Sequence, residues 1–480
     1  MAALPADVVR PAYDRSEIVC GVVHLGVGAF HRAHQAVVFD DVLGAGDRRW
    51  GIRGVSLRSA DVRNRLQPQH GLYGLETRGA GQSSLRIIGA LREVVTAPEA
   101  PSGVAERLAD PAVHLVTLTI TEKGYHLDPA TGEPLWDSPE LRHDIEQPQA
   151  PVTAAGLLTA GLERRRERGL AGLSALSCDN LPHNGSALRR AVLGLAERRD
   201  PRLRDWIEAN AAFPESMVDR IVPATTQGDI DGFADRTGVL DAGLVVTEPF
   251  LQWVLQDRFA GPRPDLARAG VQLVASVGPF ETAKLRMLNG AHSAIAYLGG
   301  LAGLDYVHDF VGRKPGQAYI QRLWDEIGPT LPAAPGLDLD WYRRALAGRF
   351  LNPALKHRTR QIAMDGSQKL PQRLLAPLQA RLARGVAAPA LILAVAAWMR
   401  WQSGRDDAGD AIPPDDPRSP ALRRAYAQAG SPRARVEALT ATEVFGGALR
   451  ADPQLLDQLA AALERLERIG AAAALDEATG

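Results

Sequence analysis

The stretch "IVCGVVHLGVGAFHRAHQAVVFDDVL" (residues 18–43) decides the fold expected for this chain. It has the pattern of a buried strand, a turn containing Gly26 and Gly28, and a helix from about Phe30 to Leu43. Such a turn offers backbone N–H groups and a helix N-terminus to the pyrophosphate of a dinucleotide. His31 stands where the third glycine of a GxGxxG motif would be, so the motif is weak by itself. Its place at the start of a βα unit favours dinucleotide binding over a purely structural turn.

The chain after this turn alternates between strands and helices up to about residue 277. The runs 49–59, 113–126 and 172–185 predict strands, the second of them strongly β-branched, and helical patterns separate them. This alternation predicts a doubly wound, mostly parallel sheet, and therefore an α/β Rossmann-like domain. The run "SSLRIIGALREVV" (83–95) has the pattern of a strand hairpin, which we expect to lie outside the main sheet.

Beyond residue 277 the chain shows almost only helical periods, with Pro and Gly between them. The predicted helices cover residues 280–303, 315–327, 339–349, 370–384, 386–402, 418–429, 434–448 and 453–475. A chain of 480 residues is also too long for one ordinary core. We therefore predict a Rossmann-like dinucleotide-binding domain with insertions over residues 1–277, followed by an all-helical substrate and catalytic domain over residues 278–480.

The composition excludes several classes of protein. The formal net charge is −1, which favours neither nucleic acid nor an anionic membrane as a partner. No stretch approaches the roughly 18 apolar residues of a membrane span. Cys20 and Cys178 are the two cysteines, and their wide separation predicts no disulfide framework, no metal site and a cytoplasmic location. The expected partner is a small molecule, and the expected state is a monomer or a small homo-oligomer.

The residues around the first two strands bear on the choice of cofactor. Phe30 is predicted to contact the dinucleotide, and Arg32 is placed to bind a phosphate or, alternatively, to be a solvated helix residue. The second strand ends near Arg58 and Asp61. An acidic residue there accepts from the ribose 2′-hydroxyl of NAD, whereas an arginine pairs with the 2′-phosphate of NADP. Both types are present, so the sequence leaves NAD and NADP open.

The helical stretch "TAKLRMLNGAHSAIAYLG" (282–299) is apolar and rich in Ala and Leu, yet it carries an amine, an amide and an imidazole on Lys284, Asn289 and His292. On an ideal α-helix at about 100° per residue, Glu281, Lys284, Asn289 and His292 share one side, and Lys284 lies about 12 Å along the axis from His292. Lys284 can act as a general base if a dry site lowers its pKa. Asn289 and His292 can donate to an alkoxide or carbonyl oxygen. The alternative is a helix N-terminus whose polar residues meet solvent.

The spacing Lys284-x4-Asn289-x2-His292 resembles the catalytic signature of the long-chain mannitol dehydrogenase family, the polyol-specific long-chain dehydrogenases. The likeness covers nearly the whole chain, through "GVGAFHRAH", "TITEKGY", "SCDNLPHNG", "MVDRIVPATT", "TEPFLQWVLQDRF", "KLRMLNGAHS" and "MDGSQKLPQRLL" in that order. The resemblance implies a Rossmann-like first domain, a helical second domain, a nicotinamide cofactor and no metal.

The resemblance also implies individual roles. Lys284 matches the general base of the family. The groups that hold the reacting oxygen match Asn289, His292 and Asn180. The residues that bind substrate hydroxyls or line the site match Asp219, Lys369, Glu122 and Glu281, and the last two are expected to serve the proton path between the base and water.

The substrate is harder to read. "RTRQIAMDGSQKLPQRLL" (358–375) resembles the fructuronate reductase, or mannonate oxidoreductase, branch, and Gln361 stands where mannitol 2-dehydrogenases carry an arginine. Mannitol is two-fold symmetric, so one catalytic site can serve mannitol and fructose or mannonate and fructuronate. A group of cations near the expected far end of the substrate favours a sugar acid, although each of them singly, except Lys369, is better explained as a solvated helix charge: His357, Arg358, Arg360, Lys369 and Arg373. The best interpretation is D-mannonate/D-fructuronate; the alternatives are D-mannitol 2-dehydrogenase or another polyol such as arabinitol.

Three other classes fit less well. A non-catalytic dinucleotide-binding protein would not need Lys284, Asn289 and His292 together. A β-hydroxyacid dehydrogenase also joins a Rossmann domain to a helical domain, but the absent third glycine and the run of family motifs disfavour it. A zinc-dependent alcohol dehydrogenase would need a ligand set that two distant cysteines and scattered histidines do not make.

Overall fold

The structure is a computed structural model that describes residues 4–128 and 131–479. It separates into two compact units, Met1–Gly278 and Pro279–Gly480. The outermost residues of the predicted domains, 1–3 and 480, lie outside the described part. The first unit holds a parallel sheet with helices, and the second is built from helices. The predicted fold class, a Rossmann-like domain followed by a mostly helical domain, is confirmed.

Three sheets organise the first unit. Its strands are β1 Val22–Leu25, β2 Ile52–Ser56, β3 Tyr73–Arg78, β4 Ser83–Ile88, β5 Leu91–Thr96, β6 Leu115–Leu118, β7 Ser174–Ser177, β8 Ser216–Asp219, β9 Val245–Thr247, β10 Gln252–Gln256 and β11 Gln272–Val274. The main sheet has five parallel strands in the order β5-β2-β1-β6-β7. Strands β1, β6 and β7 are buried along their whole length, as expected for a parallel sheet covered on both faces.

The prediction that 83–95 leaves the main sheet is wrong for its second half. Strand β4 does lie outside, antiparallel to β3 in a separate three-stranded sheet with β9. Strand β5, however, pairs in parallel with β2 and forms the edge of the main sheet. The chain changes sheet at Gly89, whose N–H donates to the buried Asp40 carboxylate at 2.8 Å. An apolar strand pattern shows that a segment is extended but not which strand it pairs with.

The helices of the first unit cover the main sheet. They are α1 Ala29–Ala33, α2 Gln35–Gly44, α3 Asp61–Leu66, α4 Pro101–Leu108, α5 Pro139–Glu146, α6 Ala154–Glu167, α7 Asn184–Arg199, α8 Pro201–Asn210 and α9 Gln227–Thr237. Helices α4, α6 and α7 contribute to one apolar core on the sheet, and α2 contributes to the other. Two cores on one sheet are the layering of a doubly wound fold.

The single helix predicted from about Phe30 to Leu43 is instead two helices. They meet at His34, whose backbone leaves the helical region with φ −124° and ψ −88°. His34 is fully buried, and its Nε2 lies 2.9 Å from the carbonyl oxygen of Gln252. Its ring also packs edge-on against Trp253. These contacts join segments far apart in sequence, so local propensity does not show the break.

The second unit is built from helices. They are α10 Gly278–Ala283, a π-helix Lys284–Asn289, α11 Gly290–Leu301, α12 Val307–Val311, α13 Lys314–Ile327, α14 Leu339–Phe350, α15 Thr359–Ala363, α16 Gly366–Leu370, a second π-helix Pro371–Leu375, α17 Ala376–Leu382, α18 Pro389–Trp401, α19 Ser419–Gln428, α20 Pro432–Thr440, α21 Gly447–Arg450 and α22 Pro453–Thr479. Helix α11 is buried along its whole length and packs against α18, itself almost wholly buried. Helices that are apolar on every side form the centre of such a bundle. None of the helices described is long and apolar enough to cross a membrane.

Candidate active site

The turn between β1 and α1 requires glycine at its first position. Gly26 has φ +98°, a conformation that residues with a side chain rarely adopt. A Cβ at this position would also lie 3.0 Å from the carbonyl carbon of Thr119 and closer still to its oxygen. The Gly26 N–H donates to the carbonyl of Val55 at 2.8 Å, which ties the turn to the end of β2. Conformation and packing therefore both demand glycine at residue 26.

Gly28 has a different reason to be glycine. Its φ is −83°, which any residue can adopt. A Cβ built there would meet nothing closer than the carbonyl oxygen of Gly26, at 3.9 Å. The protein's own packing does not require a glycine at this position, whereas close approach of a ligand to the backbone would. The turn thus fits the pyrophosphate of a dinucleotide.

Two stacked histidines pack beneath the Gly26 turn, inside the first unit, and stabilise it. The rings of His24 and His31 lie 3.3 Å apart and are fully buried. His24 places Nδ1 2.8 Å from the Thr117 hydroxyl and Nε2 3.0 Å from the Gly26 carbonyl oxygen. Burial lowers the pKa of His24 to about 3 and that of His31 well below its ordinary value, so both rings are neutral. His31 fills the place of the third glycine by packing on a ring that anchors the turn.

Arg32 is not the solvated helix residue that one of the two predictions expected, and its role as a phosphate ligand stays a prediction. Arg32 is buried, its Nη1 donates to the carbonyl of Gly243, and its guanidinium lies 5.5 Å from the centre of the Tyr73 ring. This residue therefore ties α1 to the loop before β9, inside the unit. Phe30 is half-buried and its ring stacks on His34 at 5.0 Å. Its contact with a cofactor stays a prediction.

The loop after β2 carries the residues predicted to choose the cofactor. Arg58 is exposed and lies two residues beyond the end of the strand. Asp61 is exposed and is the first residue of α3, and its Oδ2 accepts a hydrogen bond from the Ser59 hydroxyl at 2.9 Å. Both side chains are accessible to a ligand, and the structure leaves the choice between NAD and NADP open.

Three residues predicted to bind substrate lie at or just after the carboxyl ends of strands in the first unit. Glu122 is exposed and opens a 3-10 turn after β6, and Asn180 is exposed just after β7. The carboxyl ends of parallel strands form one edge of the sheet, where ligands of doubly wound folds bind. Asp219 is the buried last residue of β8, in a different sheet. Asp179, which sequence reasoning missed, is a buried carboxylate between β7 and Asn180.

The segment that carries the predicted base is not an α-helix. Lys284–Asn289 forms a π-helix between α10 and α11. The angles and the axial distance predicted from α-helical geometry are therefore wrong, because the wider turn of a π-helix rotates and shortens everything that follows it. Such π-bulges occur frequently at functional sites. Glu281, Lys284 and Asn289 are half-buried, whereas His292 is buried.

The two π-helices of the second unit pack against each other. A Cβ on Gly290, directly after the first of them, would lie 2.9 Å from the carbonyl oxygen of Arg373 in the second. The Nη1 of Arg373 donates to the Ser293 hydroxyl at 3.1 Å and lies 3.5 Å from the carbonyl oxygen of Asn289. Arg373 thus holds the end of the segment that presents Asn289.

His292 lies among rings and cations. Its ring centre is 4.8 Å from that of Phe350 and 4.8 Å from that of His357. Burial, followed by the charges of His357, Arg349 and Arg373, lowers the pKa of His292 well below its ordinary value. The imidazole is therefore neutral near pH 7 and can donate one N–H to an oxygen. Arg349, buried at the end of α14, carries no recognisable signal in the sequence.

The predicted cations divide into two groups. Lys369 is half-buried, donates from Nζ to the Met364 carbonyl at 2.5 Å, and has a pKa lowered chiefly by burial. Arg373 and His357 are also half-buried. Arg358 and Arg360 are exposed, and the guanidinium of Arg358 lies over the Tyr306 ring at 5.4 Å. Exposure sets these last two apart from the group around His292.

Two family models match the chain along most of its length. The model of the mannitol dehydrogenase Rossmann domain matches residues 20–268, and that of the mannitol dehydrogenase C-terminal domain matches residues 276–467. The chain belongs to the mannitol dehydrogenase family. It is an oxidoreductase of the class that acts on CH–OH groups.

Relatives with different substrates match this mannitol dehydrogenase family member over nearly its whole length. D-mannonate oxidoreductase of Escherichia coli K12 is 43% identical over 97% of this chain and 96% of its own. Mannitol 2-dehydrogenase of Pyrenophora tritici-repentis is 39% identical over 98% of this chain and 84% of its own. The solved ternary complex of Pseudomonas fluorescens mannitol 2-dehydrogenase with NAD and D-mannitol is 35% identical, covers 99% of this chain and 98% of its own, and has a TM-score of 0.81.

Metal ligands were not expected for this family member. Within residues 4–128 and 131–479, no group of three or more His, Cys, Asp or Glu side chains is arranged to hold a metal ion. Cys20 is a half-buried free thiol and Cys178 a buried one. Burial raises the pKa of both thiols.

Proposed function

We propose that this family member interconverts D-mannonate and D-fructuronate by hydride transfer, with NAD or NADP as the cofactor. The observation that carries the proposal is the set of buried and half-buried cations around His292 in the second unit. The charges of Arg349 and Arg373 act on the His292 ring, and the charge of Arg373 also acts on Lys369, four residues before it. The resemblance to D-mannonate oxidoreductase, 43% identical, supports the same substrate class.

The charge balance of this cluster favours an acidic substrate. Among the ion pairs between described residues, Arg373 takes part in none, and Lys369 has one carboxylate, that of Asp365, at 4.0 Å. The charge of Arg373 also contributes, after burial, to the lowered pKa of Lys369. Removing the Arg373 cation from water without an ion-pairing carboxylate is costly. The carboxylate of a sugar acid would supply that counter-charge, whereas a polyol would not.

The roles of the chain's own residues follow from their chemistry. Lys284 is proposed to take the proton of the substrate hydroxyl as general base. The neutral His292, with Asn289 and Asn180, donates hydrogen bonds to the reacting oxygen. The dinucleotide, held at the turn of Gly26 and Gly28, supplies or accepts the hydride.

The remaining polar residues are proposed to bind the substrate and to relay protons. Asp219 accepts hydrogen bonds from substrate hydroxyls, and Lys369 pairs with the carboxylate. Glu122 and Glu281 pass the proton between the base and water. No metal takes part in these roles, so we expect prolonged treatment with EDTA or phenanthroline to leave activity unchanged.

Mannitol 2-dehydrogenase is the second candidate. Its support is the Pseudomonas fluorescens mannitol 2-dehydrogenase, whose structure contains NAD and D-mannitol and covers 99% of this chain. Because mannitol is two-fold symmetric, the same base and oxygen ligands would serve it. Gln361, where mannitol 2-dehydrogenases carry an arginine, is the local argument against this assignment; another polyol such as arabinitol is a further alternative.

A reduction screen separates these substrates. Purified protein is given NADH or NADPH with fructuronate, tagaturonate, fructose or xylulose, and cofactor oxidation is followed by absorbance. We expect fructuronate to have the highest kcat/KM. Lys369→Met should raise KM for fructuronate by about tenfold, the cost of one charge-assisted hydrogen bond, with a smaller effect on kcat. Efficient turnover of fructose with none of fructuronate would contradict the proposal and favour mannitol 2-dehydrogenase.

We further propose that both cofactors bind, because Arg58 and Asp61 are both exposed on the loop after β2. Arg58→Asp should shift kcat/KM toward NAD by removing a charge-assisted contact to the 2′-phosphate, worth about 1.5–3 kcal/mol. An unchanged ratio of the two cofactors would mean that Arg58 does not face the ribose.

A further inference from the structure

The loop that carries Glu122 is held by one buried carboxylate. The N–H of Ile120 lies 2.9 Å from Oδ1 of Asp179, and the N–H of Thr121 lies 2.8 Å from the same oxygen. The other oxygen, Oδ2, accepts from the Tyr125 hydroxyl at 2.6 Å. Asp179 and Tyr125 are both buried, at 9% and 1% exposure, while Glu122 is exposed. Both ends of the 3-10 turn Glu122–Tyr125 are thus fixed to the same side chain.

The backbone at this loop is strained where Asp179 binds it. Thr121 has φ 68° and ψ 159°, a region that is essentially restricted to glycine and is worse for a β-branched residue. Strained residues of this kind persist only where the surroundings enforce them. The two N–H bonds to Asp179 supply that enforcement, and the strained residue directly precedes Glu122. The direction in which Glu122 leaves the backbone therefore depends on Asp179.

The groups around the carboxylate do not titrate near neutral pH. Burial raises the pKa of Tyr125, and the Asp179 charge and the hydrogen bond to it raise it further. Burial also raises the pKa of Cys178, the residue before Asp179. The Tyr125 hydroxyl also forms a hydrogen bond with the Ser177 hydroxyl. The Asp179 carboxyl is itself pushed toward a higher pKa by burial, against hydrogen bonds from Tyr125, Ile120 and Thr121 that favour its ionised form.

We propose that Asp179 is a positioning residue, which sets the loop 120–125 so that Glu122 stands where it can pass protons for the reaction. Asp179 is also the residue before Asn180, so it joins the segments that follow two neighbouring strands, β6 and β7, and each segment contains a predicted site residue. The inference rests on the proposed hydride-transfer reaction and on the role of Glu122 in it, but not on which sugar is the substrate.

The chain provides a matched control in Asp144. This carboxylate is fully buried and accepts the N–H groups of Val152 at 2.6 Å and Thr153 at 3.1 Å, together with the Thr153 hydroxyl. It therefore makes the same kind of cradle, two backbone donors and one hydroxyl, on a loop that carries none of the predicted site residues. A purely structural contribution of Asp179 would make the two substitutions behave alike.

The test compares Asp179→Ala, Asp144→Ala, Glu122→Gln and the double variant Asp179→Ala/Glu122→Gln in the full-length protein. Activity is measured with whichever of fructuronate and fructose the wild type reduces faster, so an error in the substrate assignment does not affect the result. We expect Asp179→Ala to lower kcat by about 10²-fold, the effect of a misplaced group, and to change the pH dependence of kcat as Glu122→Gln does. The kcat of the double variant should lie within about threefold of the kcat of the slower single variant, because the effects of residues that act as a unit do not add.

The outcomes are distinct. Asp144→Ala should lower Tm and leave the pH dependence of kcat unchanged. If folded Asp179→Ala has the wild-type pH profile while Glu122→Gln does not, Asp179 is structural and the inference is wrong. A wild-type profile in Glu122→Gln would instead remove the proposed role of Glu122, and the inference with it. Should Asp179→Ala fail to fold, Tyr125→Phe removes only the hydroxyl donor; a pH profile altered in the direction of Glu122→Gln supports the inference, and an unaltered one overturns it.

Discussion

The glycine turn in the first unit and the π-helix in the second are both proposed to present groups to a ligand, but they are built in different ways. At the turn, the proposed function is carried by the backbone, and the glycines in the sequence indicate the turn directly. Gly26 is required by its φ of +98° and by the nearby Thr119 carbonyl. In the π-helix, the proposed function is carried by side chains, and their directions depend on a backbone conformation that the helix-forming residue types do not reveal. Function carried by backbone is therefore easier to read from a sequence than function carried by the direction of side chains.

The largest expected effect concerns the π-helix and its predicted base. Lys284→Ala should lower kcat by about 10²–10⁴-fold, the usual contribution of general acid–base catalysis, in steady-state assays. Cofactor affinity, measured by fluorescence titration, should scarcely change because the glycine turn belongs to the other unit. The exposed Lys314 at the start of α13 provides a control, and Lys314→Ala should keep the wild-type kcat. Near-normal turnover of a folded Lys284→Ala protein would remove this residue from the mechanism.

The two glycines of the turn should separate stability from binding. Gly26→Ala forces a side chain into a positive-φ position and against Thr119, so we expect it to cost at least about 1–3 kcal/mol of unfolding free energy. Gly28→Ala meets no such obstacle and should leave Tm nearly unchanged, while raising the KM for the cofactor by about tenfold as the new methyl group holds the pyrophosphate away, a loss of about 1.4 kcal/mol. Thermal unfolding and cofactor titration of both variants give the comparison. Equal effects on Tm would contradict the assignment of separate roles.

The contact between the two π-helices should be felt in catalysis. Gly290→Ala places a methyl group 2.9 Å from the Arg373 carbonyl oxygen, so one of the segments must shift by a few tenths of an ångström. We expect kcat to fall by about tenfold, because small displacements of a catalytic group reduce rates steeply. Gly348→Ala is the control: it meets nothing within 4 Å on α14 and should raise helix stability by up to about 1 kcal/mol. An unchanged kcat in Gly290→Ala would show that this packing does not position Asn289.

The smallest expected effect is a dependence of stability on pH. The folded-state pKa of His24 is about 3, below the roughly 6.5 of an unfolded chain. Between those values the unfolded state binds more protons, so stability is full above about pH 6.5 and is lost as the pH falls, by about 1.4 kcal/mol per pH unit for this one group. His24→Asn should therefore flatten the dependence of Tm on pH between 6.5 and 5. His292→Asn should flatten it in the same direction, because its pKa is also lowered by burial, but it alone should also lower kcat. If the slope of Tm against pH is unchanged in His24→Asn, the loss of stability in acid arises from other groups.

Much of the molecule could be predicted from local sequence alone. Alternating strands and helices indicated the Rossmann-like unit, helical periods indicated the second unit, and the motif order led to the family, all of which are confirmed. These features depend on periodicity and on residue type at fixed spacing, which are properties of neighbouring residues. The positions of Gly26 and Gly28 between β1 and α1 belong to the same class.

Tertiary structure alone decided the rest. Four features depend on contacts between residues that are distant in sequence. They are the pairing of β5 with β2, the helix break at His34, the burial of Arg32 against the Gly243 carbonyl and the hydrogen bond from the Thr121 N–H to Asp179. The wider turn at Lys284–Asn289 is of the same kind, since a segment that could form an α-helix adopts i→i+5 bonding where Gly290 and Arg373 pack closely. The sequence determined which chemical groups are present and in which elements they lie. Their directions depend on long-range hydrogen bonds and packing, whose free energies exceed the small differences between local backbone conformations.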